Sequence, residues 1–142
     1  KTDKVRIHPA GDFFSLAYLM AWIEVAKLNP DLDFYCYSKS LDFFLDLVLP
    51  SNFYMTASYG GKFDHLIDQG YFTRYAKVYK TEEEAIADGL EVDHDDSHCF
   101  GDRPFALLVH GTQPKGSDWG KAIHARRKAG KFSGYSATKV AV

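Results

Sequence analysis

The sequence predicts an α/β protein with a mostly parallel sheet of about five or six strands and βαβ crossovers, either as an open sheet or as part of a (β/α) barrel. Short β-rich segments alternate about five times with segments of helical spacing, and the connections are short. The last predicted strand, "FALLVHG", is almost entirely apolar, which is typical of strands buried on both faces of a parallel sheet. Open-sheet and barrel arrangements fit this pattern equally well.

A chain of 142 residues with 46% hydrophobic and 25% charged residues has the composition of one ordinary globular domain. We expect a single α/β domain over residues 1–130 and a loosely ordered tail over residues 131–142. The predicted strands are residues 4–8, 33–40, 52–58, 75–80 and 105–111, with a further short strand at 90–92.

Helix starts are marked by Ser15, Ser40, Thr81 and Ser117, each of which precedes a segment of helical spacing and can cap it. The segment "TEEEAIADG" is the clearest, because Glu84 completes a capping box with Thr81 and Gly89 ends the helix. The other predicted helices are residues 16–26, 41–49, 62–70 and 118–128.

Ligands of parallel α/β sheets bind at the carboxyl ends of the strands. Polar residues and glycines collect at these ends, and they are the candidate site residues. The candidates for catalysis are His8, Asp12 and His110; those for ligand binding are Lys39, Ser40, Ser58, Gly60 and Gly61.

Several of these candidates also have an ordinary structural interpretation. Asp12 can favour the amino end of the following helix, and Lys39 can be a solvated charge rather than an anion ligand. Gly60 and Gly61 can supply positive-φ turn geometry, or their amides can form an anion nest. No phosphate-binding loop, dinucleotide fingerprint or nucleophile elbow is present in the sequence.

The segment "VDHDDSHCF" is a candidate metal site. On extended backbone His94, Asp96 and His98 share one face, and His110 or Cys99 would complete a set suited to Zn²⁺ or Fe²⁺. Aspartate and serine also build turns, so a simple Asx turn is the alternative. We expect the segment to reach the carboxyl ends of the strands by following the short strand at 90–92.

The formal net charge of −2 argues against general nucleic-acid binding. The basic segment "HARRKAGK" suits a solvated helix end or a contact with a polyanion. Two cysteines and no long apolar run suggest a cytoplasmic protein without a membrane span. A small-molecule ligand is expected, whereas protein partners and oligomeric state are left open.

The segments "VRIHPAGDFFSLAYLMAWIEVAKLNPDLDFYCYSKSL", "NFYMTASYGG", "HDDSH" and "FALLVHGTQPKGS" resemble the bacteriophage gene product eighty-eight family. The resemblance covers about residues 5–121 and implies a phage-encoded protein, hence the host cytoplasm. Relatives look distantly similar to radical-SAM-type partial barrels, in which His8, Asp12, Lys39 and Ser58 would face a cofactor pocket. The chain lacks the CxxxCxxC cluster of such proteins, so an iron–sulfur cluster would require cysteines upstream of Lys1.

Three functional hypotheses follow. The first is an enzyme, or enzyme remnant, that binds a small anionic or nucleotide-like ligand at the carboxyl ends of the strands. The second is a non-catalytic phage accessory or assembly protein that acts through protein contacts. The third is a metal-binding domain centred on "HDDSH" and His110.

Overall fold

The computed structural model describes residues 3–111 and 113–130 of the chain. It contains five parallel strands that follow chain order in the sheet, with helices between them, which confirms the predicted α/β fold. The strands are β1 (Lys4–Arg6), β2 (Asp33–Ser38), β3 (Phe53–Ser58), β4 (Tyr75–Tyr79) and β5 (Phe105–Leu108). The α-helices are α1 (Leu16–Leu28), α2 (Asp64–Asp68), α3 (Glu82–Ala87) and α4 (Asp118–Lys128).

The chain divides into two compact units, Lys1–Tyr75 and Ala76–Val142. This division does not test the prediction of one domain over residues 1–130, which stays a prediction. The predicted tail, residues 131–142, lies outside the described residues.

The sheet of the first unit has one apolar face, which follows from alternation along its strands. Phe34 and Cys36 of β2 pair with Phe53 and Met55 of β3, and all four side chains are buried. Helix α1 covers this face, with Leu19, Ile23 and Ala26 in the same core. The apolar alternation therefore places one layer of helix against one face of the strands.

Both ends of α1 are closed by side chains. The hydroxyl of Ser15 accepts a hydrogen bond from the Tyr18 N–H at 3.1 Å, so the predicted N-cap is confirmed. At the other end, the amide Nδ2 of the buried Asn52 donates to the carbonyl oxygens of Ala26, Asn29 and Leu32 at 2.9, 3.1 and 2.9 Å. Asn52 thereby joins the last turn of α1 to the loop that leads into β2.

Several predicted element bounds were too long. β1 ends at Arg6 because His8 takes a left-handed conformation with φ +55°. The helix predicted over residues 41–49 is one 3₁₀ turn, Leu41–Phe44, and the Ser40 side chain makes no capping bond to it. Likewise, β5 ends at Leu108 rather than Gly111.

The second unit contains β4 and β5, which pair in parallel, together with α3 and α4. Thr81 and Ser117 cap their helices as predicted, accepting from the Glu84 and Gly120 N–H groups at 3.2 and 3.1 Å. Beneath α4, the buried Arg126 donates to the carbonyls of Lys80 and Val109, which directly follow β4 and β5. One guanidinium therefore ties the carboxyl ends of both strands to the last helix.

Among the helices of the described residues, none combines the length and apolar character needed to cross a bilayer.

Candidate functional site

Asp12 is the organising residue at the carboxyl end of β2. Its Oδ1 accepts hydrogen bonds from the Phe13 N–H and the Ser38 hydroxyl, both at 2.7 Å, and its Oδ2 accepts from the Lys39 N–H at 2.7 Å. The carboxylate thus joins the β1–α1 loop to the end of β2. The geometry gives Asp12 a structural role in this loop, and its two predicted roles, at the amino end of α1 and in catalysis, stay predictions.

Ser40, predicted to hold a ligand, belongs to the same network. Its hydroxyl donates to the Phe13 carbonyl at 2.8 Å, while its N–H donates to the Ser38 hydroxyl at 3.1 Å. The geometry therefore gives Ser40 a structural role, and its ligand role stays a prediction.

His8 lies in an aromatic pocket beside α1. Its Nε2 is 2.6 Å from the Tyr18 hydroxyl, and its ring contacts those of Phe13 and Tyr18, with centroids 4.9 and 5.4 Å away. The other ring nitrogen, Nδ1, is buried and makes no hydrogen bond to the described residues. His8 is therefore held by one hydrogen bond and by ring contacts, and its catalytic role stays a prediction.

Lys39 lies across the two glycines that follow β3. A Cβ added at Gly61 would meet the Lys39 side chain at 3.2 Å, and one added at Gly60 would lie 3.5 Å from the Lys39 Nζ. The absence of side chains at these positions therefore lets the lysine stem pass close to the backbone. Lys39 itself is exposed at the carboxyl ends of the strands, next to the half-buried Ser58 that ends β3.

The backbone amides of Gly60 and Gly61 form the predicted anion nest, but a carboxylate of the same chain occupies it. Both N–H groups donate to the Asp64 Oδ1, at 2.9 and 3.0 Å. An external anion at these amides would have to displace a carboxylate of the same chain. Beside the nest, the hydrogen bond from Tyr59 to Asp68 raises the pKa of Tyr59 to about 12, with burial and nearby carboxylates adding to the effect.

The face of the first unit's sheet opposite α1 is cationic and aromatic. We call it the polar face and define it by Arg6, Tyr35, Tyr37, Tyr54 and Thr56. Arg6 pairs in register with Tyr35, and Tyr35 with Tyr54, so these three side chains form one row across the strands. The Arg6 Cζ lies 5.4 Å from the centroid of the Tyr37 ring, within cation–π range.

A second guanidinium lies over the same face. Arg74 donates from Nε to the Thr56 hydroxyl at 3.0 Å and from an Nη to the Met55 carbonyl at 2.9 Å. Its Cζ is 5.9 Å from the centroid of the Tyr54 ring. The sequence reasoning missed the polar face, although the alternation in "KVR" and "DFYCYS" places its residues on one side.

In the second unit, Asp93 organises the "VDHDDSHCF" segment. Its buried carboxylate accepts from the N–H groups of Asp96 and His98 at 2.7 and 3.0 Å and contacts the His98 Nδ1 at 2.6 Å. The His98 Nε2 lies 3.1 Å from a Glu91 carboxylate oxygen. Desolvation alone would lower the pKa of His98, but its bonds to Asp93 and Glu91 outweigh it and raise that pKa.

The turn interpretation of this segment is confirmed. Asp95 accepts a hydrogen bond from the Ser97 N–H at 3.0 Å, an Asx turn, and its bonds with Ser97 lower the pKa of Asp95. Asp96 adopts a left-handed conformation with φ +64° before a 3₁₀ turn, Ser97–Phe100. The sequence reasoning chose His94, Asp96 and His98 and overlooked Asp93 and Glu91, the carboxylates that contact His98.

The expected position of this segment was wrong. Val92 makes a single parallel bridge to Ala106, after which the chain turns back. The His98 ring then lies against Phe105, the first residue of β5, with centroids 5.3 Å apart. The segment therefore lies at the amino end of β5, whereas His110 follows its carboxyl end, about 16 Å along the strand at the usual rise.

Among the described residues, no group of three or more histidine, cysteine or acidic side chains could hold a metal ion. The metal role of His94, Asp96 and His98 stays a prediction. The cysteines do not fit an iron–sulfur cluster, because Cys36 and Cys99 are both buried and a cluster needs more thiolates than two. The dependence of such a cluster on upstream cysteines is likewise untested.

A cleft of about 480 Å³ lies beyond the carboxyl end of β5. It is bounded by the loop that follows His110 and by one side of α4, and three basic side chains line it: Lys115, His124 and Arg127. His110 itself contributes its carbonyl to the loop, where it accepts from the Gln113 Nε2 at 3.0 Å. The predicted catalytic role of His110 stays a prediction.

Comparison with known proteins places the chain in a family without assigning an activity. Searches of curated proteins and of solved structures gave no significant match. A family model described as Gene product 88, in contrast, matches residues 1–132, which is most of the chain. The match extends over both compact units, and on this ground the chain belongs to the Gene product 88 family.

Proposed function

We propose that the chain binds a small anionic, nucleotide-like ligand on the polar face, next to the carboxyl ends of β1, β2 and β3. The observation that carries the proposal is the placement of the Arg6 guanidinium over Tyr37, with Lys39 at the strand ends beyond them. Guanidinium groups recognise phosphate oxygens, and aromatic rings stack with planar bases.

The charge distribution on this face supports the proposal. Asp33 lies in the amino-terminal row, where it pairs in register with Lys4. From Arg6 towards the carboxyl ends, the outward positions of β1, β2 and β3 carry tyrosine, threonine and serine but no carboxylate. At these outward strand positions an anion therefore meets positive charge and hydroxyl groups, while the nearby Asp12 and Asp64 carboxylates already accept backbone N–H groups.

Partial exposure also supports binding. Arg6, Tyr35, Tyr37 and Tyr54 are all half-buried, so their positions are constrained while part of each side chain remains accessible. Preorganised aromatic and guanidinium groups lose little conformational entropy when a ligand binds. The proposal concerns binding; the catalytic roles of His8, Asp12 and His110 remain predictions within it.

The experiment is a calorimetric titration with adenosine monophosphate, adenosine and inorganic phosphate. We expect the monophosphate to bind more tightly than either part, because base and phosphate contact different groups. Lys39→Gln should weaken its binding about three- to tenfold, and Tyr37→Leu should weaken adenosine as well. Lys27→Gln, which removes the same charge from α1, is the matched control.

Equal affinity for phosphate and adenosine monophosphate would contradict the role of the tyrosines. Equal losses in Lys39→Gln and Lys27→Gln would show that only net charge matters, and would reject the position of the site.

A second candidate function, protein–protein contact, is favoured by the outer face of α1. Several large apolar side chains of this region are exposed, with Phe14 and Leu28 both at 78%. The Phe14 ring also stacks on Tyr18 with centroids 4.5 Å apart. Apolar surface of this kind is typical of interaction sites.

Sedimentation analysis tests whether this surface mediates self-association. A concentration-dependent oligomer that Leu28→Glu dissociates would support the contact function. A monomer at every concentration, unchanged by Leu28→Glu, would reject self-association through α1.

A further inference from the structure

We infer that the cleft beyond β5 is a second anion site, which takes a phosphate group, in addition to the proposed site on the polar face. The inference rests on the second unit alone and does not depend on the proposed function. It begins from the shape of the cleft, which has a volume of about 480 Å³, enough for a phosphate group and part of the molecule that carries it.

One wall of the cleft is a single stripe of α4. Gly120, Ile123, His124 and Arg127 lie at the spacing i, i+3, i+4 and i+7, so they share one side of the helix. Ile123 is only 4% exposed and anchors this side in the core. His124 and Arg127 extend from the same side at exposed positions.

The other wall is formed by Gly111 and residues 113–116, and Pro114 and Ser117 lie close to the first turn of the helix. A Cβ added at Gly120 would lie 3.2 Å from the Ser117 Oγ and 3.3 Å from the Pro114 carbonyl oxygen. Glycine therefore permits a close approach that holds the loop, with Lys115 on it, beside the helix stripe. The Ser117 N–H also donates to the Pro114 carbonyl at 3.0 Å.

The charge of the residues that line the cleft favours a negatively charged ligand. Lys115, His124 and Arg127 line the cleft, and none of its described lining residues is acidic. Between residues 113 and 130, Asp118 is the single acidic residue against five lysines and arginines, and it lies 3.8 Å from the Lys80 ammonium. The region is therefore strongly positive although the whole chain carries −2.

The two cations, Lys115 and Arg127, favour a dianion over a monovalent anion, because two positive charges attract a doubly charged group more strongly. Arginine and lysine beside backbone amides of a glycine-containing loop are the groups that bind phosphate in proteins. We therefore assign the site to a phosphate group, either free or as a phosphomonoester.

The test is a titration of the whole chain with inorganic phosphate, followed by two-dimensional NMR at constant ionic strength. We expect shifts in the amides of Gly116 and Gly120, with a dissociation constant of about 1 mM or tighter. The variant Lys115→Gln with Arg127→Gln should weaken binding at least about tenfold. Lys121→Gln with Lys128→Gln removes the same charge from α4 outside the cleft and should weaken it less than about threefold.

Equal weakening by the two double variants would overturn the site in favour of a diffuse charge effect. Absence of binding up to about 20 mM phosphate would overturn it outright. Lys39→Gln, which tests the polar face, should leave these shifts unchanged, so the failure of one site is distinguishable from the failure of the other. Unchanged circular dichroism confirms that each variant is folded.

Discussion

The Nδ1 atom of His98 lies 2.6 Å from Oδ1 of Asp93, whose side chain is completely shielded from solvent. The same carboxylate accepts two backbone N–H groups, so it orients the imidazole and holds the turn at once. A buried carboxylate with three donors is stable only while those donors remain, which makes the pair sensitive to substitution.

Replacement of Asp93 should destabilise the second unit. Asp93→Ala leaves buried N–H groups without an acceptor and should lower the free energy of unfolding by about 2 to 4 kcal/mol. Urea denaturation measures this loss. Asp95→Ala is the control, because Asp95 is exposed and accepts a hydrogen bond from the Ser97 N–H; the loss of unfolding free energy should stay at about 1 kcal/mol. Equal losses would contradict the organising role of Asp93.

The raised pKa of His98 predicts a specific pH dependence. A group whose pKa is higher in the folded state stabilises it fully below the unfolded pKa of about 6.5, and this contribution is lost as pH rises through the folded pKa. The free energy of unfolding should therefore decline above pH about 6.5. His98→Gln should remove that part of the decline. An NMR titration giving His98 an ordinary or lowered pKa would refute the prediction.

Substitution of Asp12 should lower the stability of the fold, whereas substitution of Lys39 should leave stability nearly unchanged. Asp12→Ala removes the acceptor for Phe13, Ser38 and Lys39 and should cost about 1 to 3 kcal/mol of unfolding free energy. Lys39→Gln should change it by less than about 0.5 kcal/mol, because the ammonium is at an exposed position. Thermal and urea unfolding of both variants would check this. A larger loss of unfolding free energy for Lys39→Gln would show that Lys39 supports the fold. It would contradict the expectation that this residue acts only in ligand binding.

Arg126 should matter more to stability than any exposed cation of α4. Burial lowers its pKa, with the charge of Arg127 adding to the effect, yet its guanidinium still donates to two carbonyls. Arg126→Met should cost about 2 to 4 kcal/mol, since the carbonyls of Lys80 and Val109 lose charged donors. Lys121→Met, at an exposed position of the same helix, should be nearly neutral. Similar losses of unfolding free energy in both variants would contradict the role of Arg126 in joining α4 to the ends of β4 and β5.

Structural features that depend on residues close together in the sequence were predictable. Ser15, Thr81 and Ser117 were identified as N-caps because a cap acts on an N–H two or three residues away. The apolar alternation of "DFYCYS" and the apolar "FALL" likewise marked β2 and β5, since side-chain direction follows from the strand itself.

Features that join distant segments were not predictable. Asn52 reaches Ala26 at the end of α1 across 26 residues, and Asp12 meets Ser38 across 26. Asp12 and Ser40 were chosen as catalytic and ligand-binding candidates because they are polar, whereas the sequence could not show their hydrogen-bond partners. The position of "VDHDDSHCF" was misjudged for the same reason: a one-residue bridge at Val92 turns the chain back, and no local pattern marks that reversal.

The sequence alone determined the α/β class, the order of its elements, most helix starts and membership of a phage protein family. Local sterics, capping and apolar periodicity suffice for the structural part of that list. Only the tertiary structure decided which polar groups bind one another within the protein. That distinction depends on whether a donor or acceptor finds a partner far along the chain, as the Asp12 carboxylate does with Ser38 and Lys39 and as the Arg126 guanidinium does with the Lys80 carbonyl.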